Sequence, residues 1–270
     1  MSTPVIDDTA FLADWRRWRE ERDRAVAAPD GILPVVSIDY LTAEPVVIDR
    51  LPGRWSSQPE GVVVDLAEGE RLDVAEADGS GRVVLDRPAP GGSRRIAQEG
   101  LTIELVRGGD WDIVRVRDAA APAVAAFRGT PAYEPDPAWR VVGRWVPGES
   151  ALTVDTVSDR VSRESVSPGA VEFTLRGRTF RLVALPAHGV PGHVVLLFRD
   201  ATSGITTYAA QRELLVQLPA SGDEVVVDFT RAYNKPCAYS DFALCPLPPA
   251  GNVLDIAVEA GERTPYERSR

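Results

Sequence analysis

The sequence has few of the residue types that carry common redox, metal and acid–base chemistry. Its 270 residues include two cysteines, two histidines and one methionine, and Lys235 is the single lysine. Two cysteines are too few for a disulfide scaffold, and the cytoplasm, which is the location we expect, keeps thiols reduced. The sequence therefore predicts that Cys237 and Cys245 are free thiols.

Basic charge and long apolar runs are also scarce. The chain has 30 Lys and Arg against 40 Asp and Glu, a formal net charge of −10. Nucleic-acid binding depends on clustered basic side chains, so nucleic acid is disfavoured as a partner. No stretch approaches the roughly 20 apolar residues of a membrane span, and residues 1–8 lack the basic and apolar segments of a signal peptide. We expect a cytoplasmic protein that does not bind membranes.

Familiar catalytic motifs are missing as well. The sequence has no P-loop, no G-x-G-x-x-G after a strand, no H-E-x-x-H and no G-x-S-x-G elbow. A structural zinc site needs four ligands, and the chain has four suitable residues, His188, His193, Cys237 and Cys245. Their spacings in sequence do not match the closely spaced ligand pairs of such sites. We predict no metal site, and the sequence identifies no cofactor.

The composition and the residue pattern predict a globular protein whose first element is a helix. Hydrophobic residues make up 44% and charged residues 26% of the chain, which is enough for a sizeable core. Residues 9–28 place apolar side chains, including Trp15 and Trp18, at spacings near 3.6, and Pro29 follows. The charged run 16–24 covers the remaining faces. This pattern predicts an amphipathic helix with a solvated charged face.

After Gly31 the pattern changes to short runs of β-branched residues bounded by Gly, Pro and Asp, which is typical of strands and turns. Two glycine turns, at 108–109 and 176–178, lie between such runs and predict hairpins. The predicted strands cover residues 35–41, 46–51, 61–66, 82–85, 101–107, 112–117, 139–146, 171–176, 179–185, 193–199, 206–218, 224–229 and 253–258. The predicted fold class is mainly β, with an antiparallel sandwich or barrel-like sheets and one N-terminal α-helix.

Two Pro- and Ala-rich stretches, at 119–126 and 131–137, interrupt the strands near the middle of the chain. They are candidates for the joint between two β-rich halves. We expect three parts. These are an N-terminal helix (1–30) packed on the body, a single β-rich domain (31–264) with halves 31–150 and 151–264, and a disordered tail (265–270).

One strand carries an arginine on an apolar face. Alternation along residues 205–216 places Arg212 on the same side as Leu214 and Val216. A guanidinium taken out of water needs a carboxylate, and the nearest candidates are Asp200 and Asp228.

Asp228 is itself unusual, because it interrupts the apolar run 225–229. Buried and unpaired, it would cost several kcal/mol or become protonated. We interpret Arg212 and Asp228 as a pair across a ladder. Such a pair is either an internal salt bridge that fixes strand register or an anion clamp at the floor of a pocket.

Two blocks of sequence resemble a known family. The C-terminal block runs from Asp228 to Tyr239 and continues with Cys245-Pro246-Leu247-Pro248-Pro249, Asn252 and Ala260-Gly261-Glu262. The other block contains Asp200-Ala201-Thr202-Ser203-Gly204, Thr207-Tyr208 and Arg212. Together they resemble a bacterial family known as domain of unknown function 1684, and the resemblance extends from the helix containing Trp15 to Glu262.

The family carries no established activity, so the resemblance implies a fold and a cluster of residues and no reaction. Thr230 stands where the family usually has Asn, and Lys235 where it usually has a second Pro. If that Asn contacts a ligand, this chain binds a different ligand or none. Prolines flank the loop 237–245, which favours either a lid over a site or a cover for a sheet edge.

The leading functional hypothesis is a small-molecule-binding module, with Arg212, Tyr208 and Asn234 as polar contacts in an apolar pocket. One alternative is a hydrolase-type enzyme that uses a buried carboxylate as acid or base. Another is an interaction scaffold without a ligand pocket. No catalytic residue is identified, and the candidate ligand-binding residues are Asp200, Ser203, Tyr208, Arg212, Asp228, Tyr233, Asn234, Cys237 and Glu262.

Overall fold

A computed structural model describes residues 8–77, 81–108, 111–155, 163–243 and 245–266. The chain divides into two compact units. One comprises residues 24–127, and the other comprises the residues up to Asp23 together with those from Arg128 onward. The boundary between the units therefore lies between the two Pro- and Ala-rich stretches of the sequence.

The predicted helix forms as α1 (Asp8–Ala27), within one residue of the predicted bounds at each end. Phe11 and Trp15 lie on its inner side, and the Trp15 indole N–H donates to the carbonyl of Thr230 at 3.0 Å. The expectation of a solvated charged face is wrong for Arg19, which is only 8% exposed. Its position one turn beyond Trp15 places it on the same inner side.

Unit 24–127 consists of two antiparallel sheets and a short helix. The sheet orders are β1-β8-β7-β6 and β2-β3-β4-β5, and apolar side chains of both surround the fully buried Trp55. The helix α2 (Pro122–Ala126) occupies one of the Pro- and Ala-rich stretches, where no helix was expected. The strands are β1 (Val35–Leu41), β2 (Val46–Val47), β3 (Arg54–Gln58), β4 (Gly61–Asp65), β5 (Arg82–Leu85), β6 (Ser93–Gln98), β7 (Leu101–Arg107) and β8 (Asp112–Asp118).

The other unit packs two sheets around its own core, and the first part of α1 belongs to the same unit. Its strands are β9 (Arg140–Val154), β10 (Arg163–Leu175), β11 (Arg178–Val183), β12 (Leu185–Pro186), β13 (His193–Asp200), β14 (Arg212–Gln217), β15 (Glu224–Asp228) and β16 (Val253–Leu254). The antiparallel orders are β11-β10-β9-β15 and β12-β13-β14, and β16 pairs with β13 in parallel. The rings of Phe173 and Phe198 both contact Phe229, with centroids 5.6 and 5.5 Å apart, at the centre of this core.

The predicted fold class is confirmed: the protein is mainly β, with antiparallel sheets and an N-terminal helix. No sheet of the described ranges closes into a barrel. The predicted hairpin at Arg176–Gly177 joins β10 to β11, and both residues have positive φ, 51° and 77°. Gly109, in the other predicted hairpin, lies outside the described residues.

The strand predicted over residues 206–218 begins only at Arg212. The preceding residues turn back on themselves, because three backbone N–H groups, those of Ile205, Thr206 and Thr207, converge on the carbonyl of Thr202. Tyr208 is therefore not on the face of β14 that Arg212 shares with Leu214. No helix in the part of the chain that the structure describes has the length and apolarity to span a bilayer.

Candidate functional site

Arg212 opens β14 and is 1% exposed. Its Nη2 donates to Asp200 Oδ2 at 2.6 Å and to the carbonyl of Val258 at 2.9 Å, and its Nη1 donates to the carbonyl of Ala260. Burial lowers the pKa of Arg212, and the charge of Asp200 opposes that effect. Arg212 therefore ties β14 to β13 and to the C-terminal segment through contacts inside the protein.

The carboxylate of Asp200 organises the turn that follows β13. Its Oδ1 accepts the backbone N–H of Thr202 at 2.6 Å and the Thr202 hydroxyl at 2.5 Å. The Thr202 hydroxyl is in turn 2.8 Å from that of Thr207, and the Ser203 hydroxyl accepts the Asp200 N–H at 3.1 Å. The structure thus brings together three of the candidate ligand-binding residues, Asp200, Ser203 and Arg212, and their polar groups hydrogen bond within the protein.

The predicted pairing of Arg212 with Asp228 is wrong. Asp228 ends β15, which pairs with β9 and not with β14. Its Oδ1 accepts the N–H and the hydroxyl of Thr230, at 3.1 and 2.5 Å, and so caps the 3-10 turn Phe229–Arg231. Its Oδ2 lies 3.8 Å from Arg140 Nε. The Asp in an apolar run is therefore explained by a cap and not by a buried ion pair.

Glu262 is the centre of a second buried network. Its Oε1 accepts from Arg19 Nη1 at 2.8 Å and Arg22 Nε at 3.3 Å. Its Oε2 accepts from the Asn234 N–H at 2.6 Å and the Tyr239 hydroxyl at 3.2 Å. Burial and the charge of Glu262 raise the pKa of Tyr239. Sequence reasoning found Glu262 but missed its cations, because the charged run of α1 was expected to face solvent.

Tyr233 and Asn234 extend this network. The Tyr233 hydroxyl donates to Glu213, which also pairs with Lys235, and burial together with Glu213 raises the pKa of Tyr233. Asn234 is fully buried, and its Nδ2 donates to the carbonyl of Arg263 at 2.8 Å. Asn234 Oδ1 has no hydrogen-bond partner among the described residues. Asn234 therefore holds the C-terminal segment in place, whereas Tyr233 ties this network to β14.

Cys237 and Cys245 are buried thiols that contact each other. The Cys237 N–H donates to Cys245 Sγ at 3.2 Å, and Gln211 Nε2 lies 3.7 Å from Cys237 Sγ. A hydrogen bond from the Cys245 thiol lowers the pKa of Cys237 and raises that of Cys245. The Tyr208 hydroxyl donates to the Cys237 carbonyl at 2.9 Å. The loop that carries the thiols is thereby fixed to the residues preceding β14.

A surface cleft of about 680 Å³ lies beside these networks. Two segments form it, 204–209 and 263–266, and two backbone bonds hold the second in place. Arg263 N–H donates to the Pro131 carbonyl at 2.7 Å, and Thr264 N–H donates to the Thr206 carbonyl at 3.1 Å. The lining residues are Pro131, Gly204, Ile205, Thr206, Thr207, Tyr208, Ala209, Arg263, Thr264 and Tyr266.

Among the described residues of this lining, Arg263 is the one cation and none is Asp or Glu. Its guanidinium carbon lies 5.5 Å from the centroid of the Tyr133 ring, and it makes no ion pair within the described ranges. The Tyr133 hydroxyl is hydrogen bonded to Thr206, at the edge of the cleft. Of the nine predicted site residues, Tyr208 alone lines the cleft. Arg263 was missed because it follows the Glu262 block with no pattern that indicates a partner.

Two of three kinds of comparison relate this chain to known proteins. A family model described as "Protein of unknown function (DUF1684)" matches residues 125–263, just over half of the chain. A solved structure, the solution NMR structure of an uncharacterized protein of Haloarcula marismortui, is 35% identical. The match covers 53% of this chain and 80% of that one, with a TM-score of 0.44. No curated protein matches.

Proposed function

This chain belongs to the DUF1684 family of proteins of unknown function, and we propose that it binds a small organic anion in the cleft beside Arg263. The observation that carries the proposal is the charge of the described lining residues, which include one arginine and no carboxylate, in a chain whose net charge is −10. A local positive site on an acidic protein selects anions from solution.

The side chains of the cleft suit a ligand with one acidic group and an apolar body. The Arg263 guanidinium offers a planar pair of N–H donors, which matches a carboxylate or a phosphate. Ile205 and Tyr266, 80% and 61% exposed, supply apolar surface at the rim. Pockets that pair a few fixed polar groups with apolar walls are typical of small-molecule sites.

This proposal assigns new roles to the residues first selected from the sequence. Tyr208 becomes a ligand contact, whereas Arg212 and Asn234 hold the segments that form the cleft. Asp200, Asp228 and Glu262 already accept hydrogen bonds from several donors. The proposal therefore gives them no acid–base role and describes a binding module.

The test is a thermal-shift series with three matched probes: benzoate, phenyl phosphate and benzyl alcohol. Both anions should raise the melting temperature in proportion to their binding, and the neutral alcohol should not. The Arg263→Gln variant should weaken anion binding about 10- to 100-fold, since a hydrogen bond to a charged group contributes about 1.5–3 kcal/mol.

The matched control is Arg199→Gln, which removes an exposed arginine that lies in the same unit and outside the cleft lining. This control should bind both anions as the wild type does. Equal binding of the alcohol and the anions would contradict the anion preference, and no binding of any probe would contradict the proposal as a whole.

A further inference from the structure

We propose that Cys237 and Cys245 are a peroxide-sensitive pair, in which Cys237 reacts first and Cys245 closes a reversible disulfide. The proposal rests on the contact between the two cysteines and does not depend on the proposed ligand. No other pair of cysteines exists in the chain.

The geometry places the two sulfurs within reach of each other. Cys245 Sγ already lies 3.2 Å from the backbone nitrogen of Cys237, the atom bonded to its Cα. A disulfide requires that the two cysteines lie close together, and a sulfur of one that touches the backbone of the other meets this requirement.

The surroundings of the pair give the two sulfurs different roles. A hydrogen bond from Cys245 and the positive charge of Lys235 favour the thiolate of Cys237 and lower its pKa despite burial. Gln211 Nε2, 3.7 Å from Cys237 Sγ, is a further donor to this sulfur. The neighbouring Cys237 and burial raise the pKa of Cys245, so Cys245 is the thiol that keeps its proton. Because the thiolate is the nucleophile, Cys237 is the residue that attacks.

The oxidant that suits this site is small, because the two cysteines are only 3% and 4% exposed. A hydroperoxide meets that requirement better than a bulky disulfide. Phe242, in the loop between the cysteines, is 45% exposed, so part of this loop borders solvent.

The reaction balances with one hydrogen peroxide. The Cys237 thiolate attacks one peroxide oxygen, the O–O bond breaks, and the departing hydroxide takes a proton and becomes water. The resulting sulfenic acid is attacked by Cys245 sulfur, so that the S–S bond forms and the S–O bond breaks. The second hydroxide takes the proton of Cys245. Two thiols and one peroxide thus become one disulfide and two waters.

The test is peroxide treatment of the full-length folded protein, followed by alkylation and intact mass spectrometry. The wild type should lose two hydrogens and both alkylation sites together, retain no oxygen, and recover both thiols with dithiothreitol. Cys245→Ser should stop at a sulfenic acid on Cys237 that dimedone traps. In Cys237→Ser, Cys245 should react at least about tenfold more slowly than Cys237 does in the wild type.

Three results would overturn the proposal. They are an independent loss of the two thiols in the wild type, a disulfide that links separate chains, and a reaction that begins only in urea concentrations that unfold the protein. The wild-type measurement needs no variant, so it decides the question even if a serine variant fails to fold.

Discussion

Arg212 and Glu262 are the two buried charges on which the C-terminal segment depends. Alternation along the chain predicts that Arg212 is buried and needs a carboxylate, and its pairing with a carboxylate confirms this. The choice between Asp200 and Asp228 could not be made from sequence, because it depends on which strands are neighbours in the sheet. Likewise, nothing local indicates that Arg19 and Arg22 of the helix meet Glu262, more than 200 residues away.

Arg212→Met should lower the free energy of unfolding by about 3–5 kcal/mol, because it leaves Asp200 buried without its cation. Urea denaturation followed by tryptophan fluorescence measures the change. The matched control is Arg178→Met, which breaks an exposed pair with Asp255 and should cost at most about 1 kcal/mol. A similar small loss for both variants would mean that the Arg212 network does not stabilise the fold.

The buried tyrosines Tyr233 and Tyr239 predict a loss of stability in alkali. Their pKa values are raised in the folded protein, so the folded state keeps protons that the unfolded state releases above a pH of about 10. The contribution of the two tyrosines to the free energy of unfolding is therefore fully present below that pH. Above it, the free energy of unfolding falls by up to about 1.4 kcal/mol per pH unit for each tyrosine. Unfolding free energies measured between pH 8 and 11, in roughly half-unit steps, give the slope.

Tyr239→Phe should reduce this slope, because phenylalanine has no proton to lose. The informative quantity is the slope and not the absolute stability, since the substitution also removes the hydrogen bond to Glu262. Parallel curves for the wild type and the variant would contradict the assignment.

Secondary structure was predicted best where hydrophobic periodicity is strong. The helix α1 and the hairpin between β10 and β11 form where the pattern indicates. The strands β3 (Arg54–Gln58) and β6 (Ser93–Gln98) were missed, because their polar and charged residues lack the β-branched runs on which the prediction relied. Sheet pairing outweighs such weak local preferences.

Asp228→Ala should lower the free energy of unfolding by about 1 kcal/mol, the usual cost of losing a capping side chain. Asp228→Asn is the matched control, since Asn retains an oxygen that can accept the Thr230 N–H, and it should lose less. Urea denaturation measures both. A loss of about 3–5 kcal/mol for Asp228→Ala would instead indicate the buried ion pair that the sequence suggested.

In the molecule as a whole, the residues that stabilise the fold are largely different from the residues that border the cleft. Eight of the nine sequence candidates contribute hydrogen bonds, ion pairs or thiol contacts within the protein and do not line the cleft, whereas Tyr208 does. The cleft forms because the C-terminal segment returns beside residues 204–209 through backbone hydrogen bonds. Backbone contacts of this kind do not depend on residue type, so the sequence could indicate some residues of the supporting networks but not Arg263.

The most direct test of this account is an amide chemical-shift titration of the ¹⁵N-labelled protein with benzoate and with phenyl phosphate. The account predicts saturable shifts concentrated on residues 204–209 and 263–266, which Arg263→Gln weakens and Arg199→Gln leaves intact. Shifts that do not saturate, or that concentrate on the unit formed by residues 24–127, would contradict it.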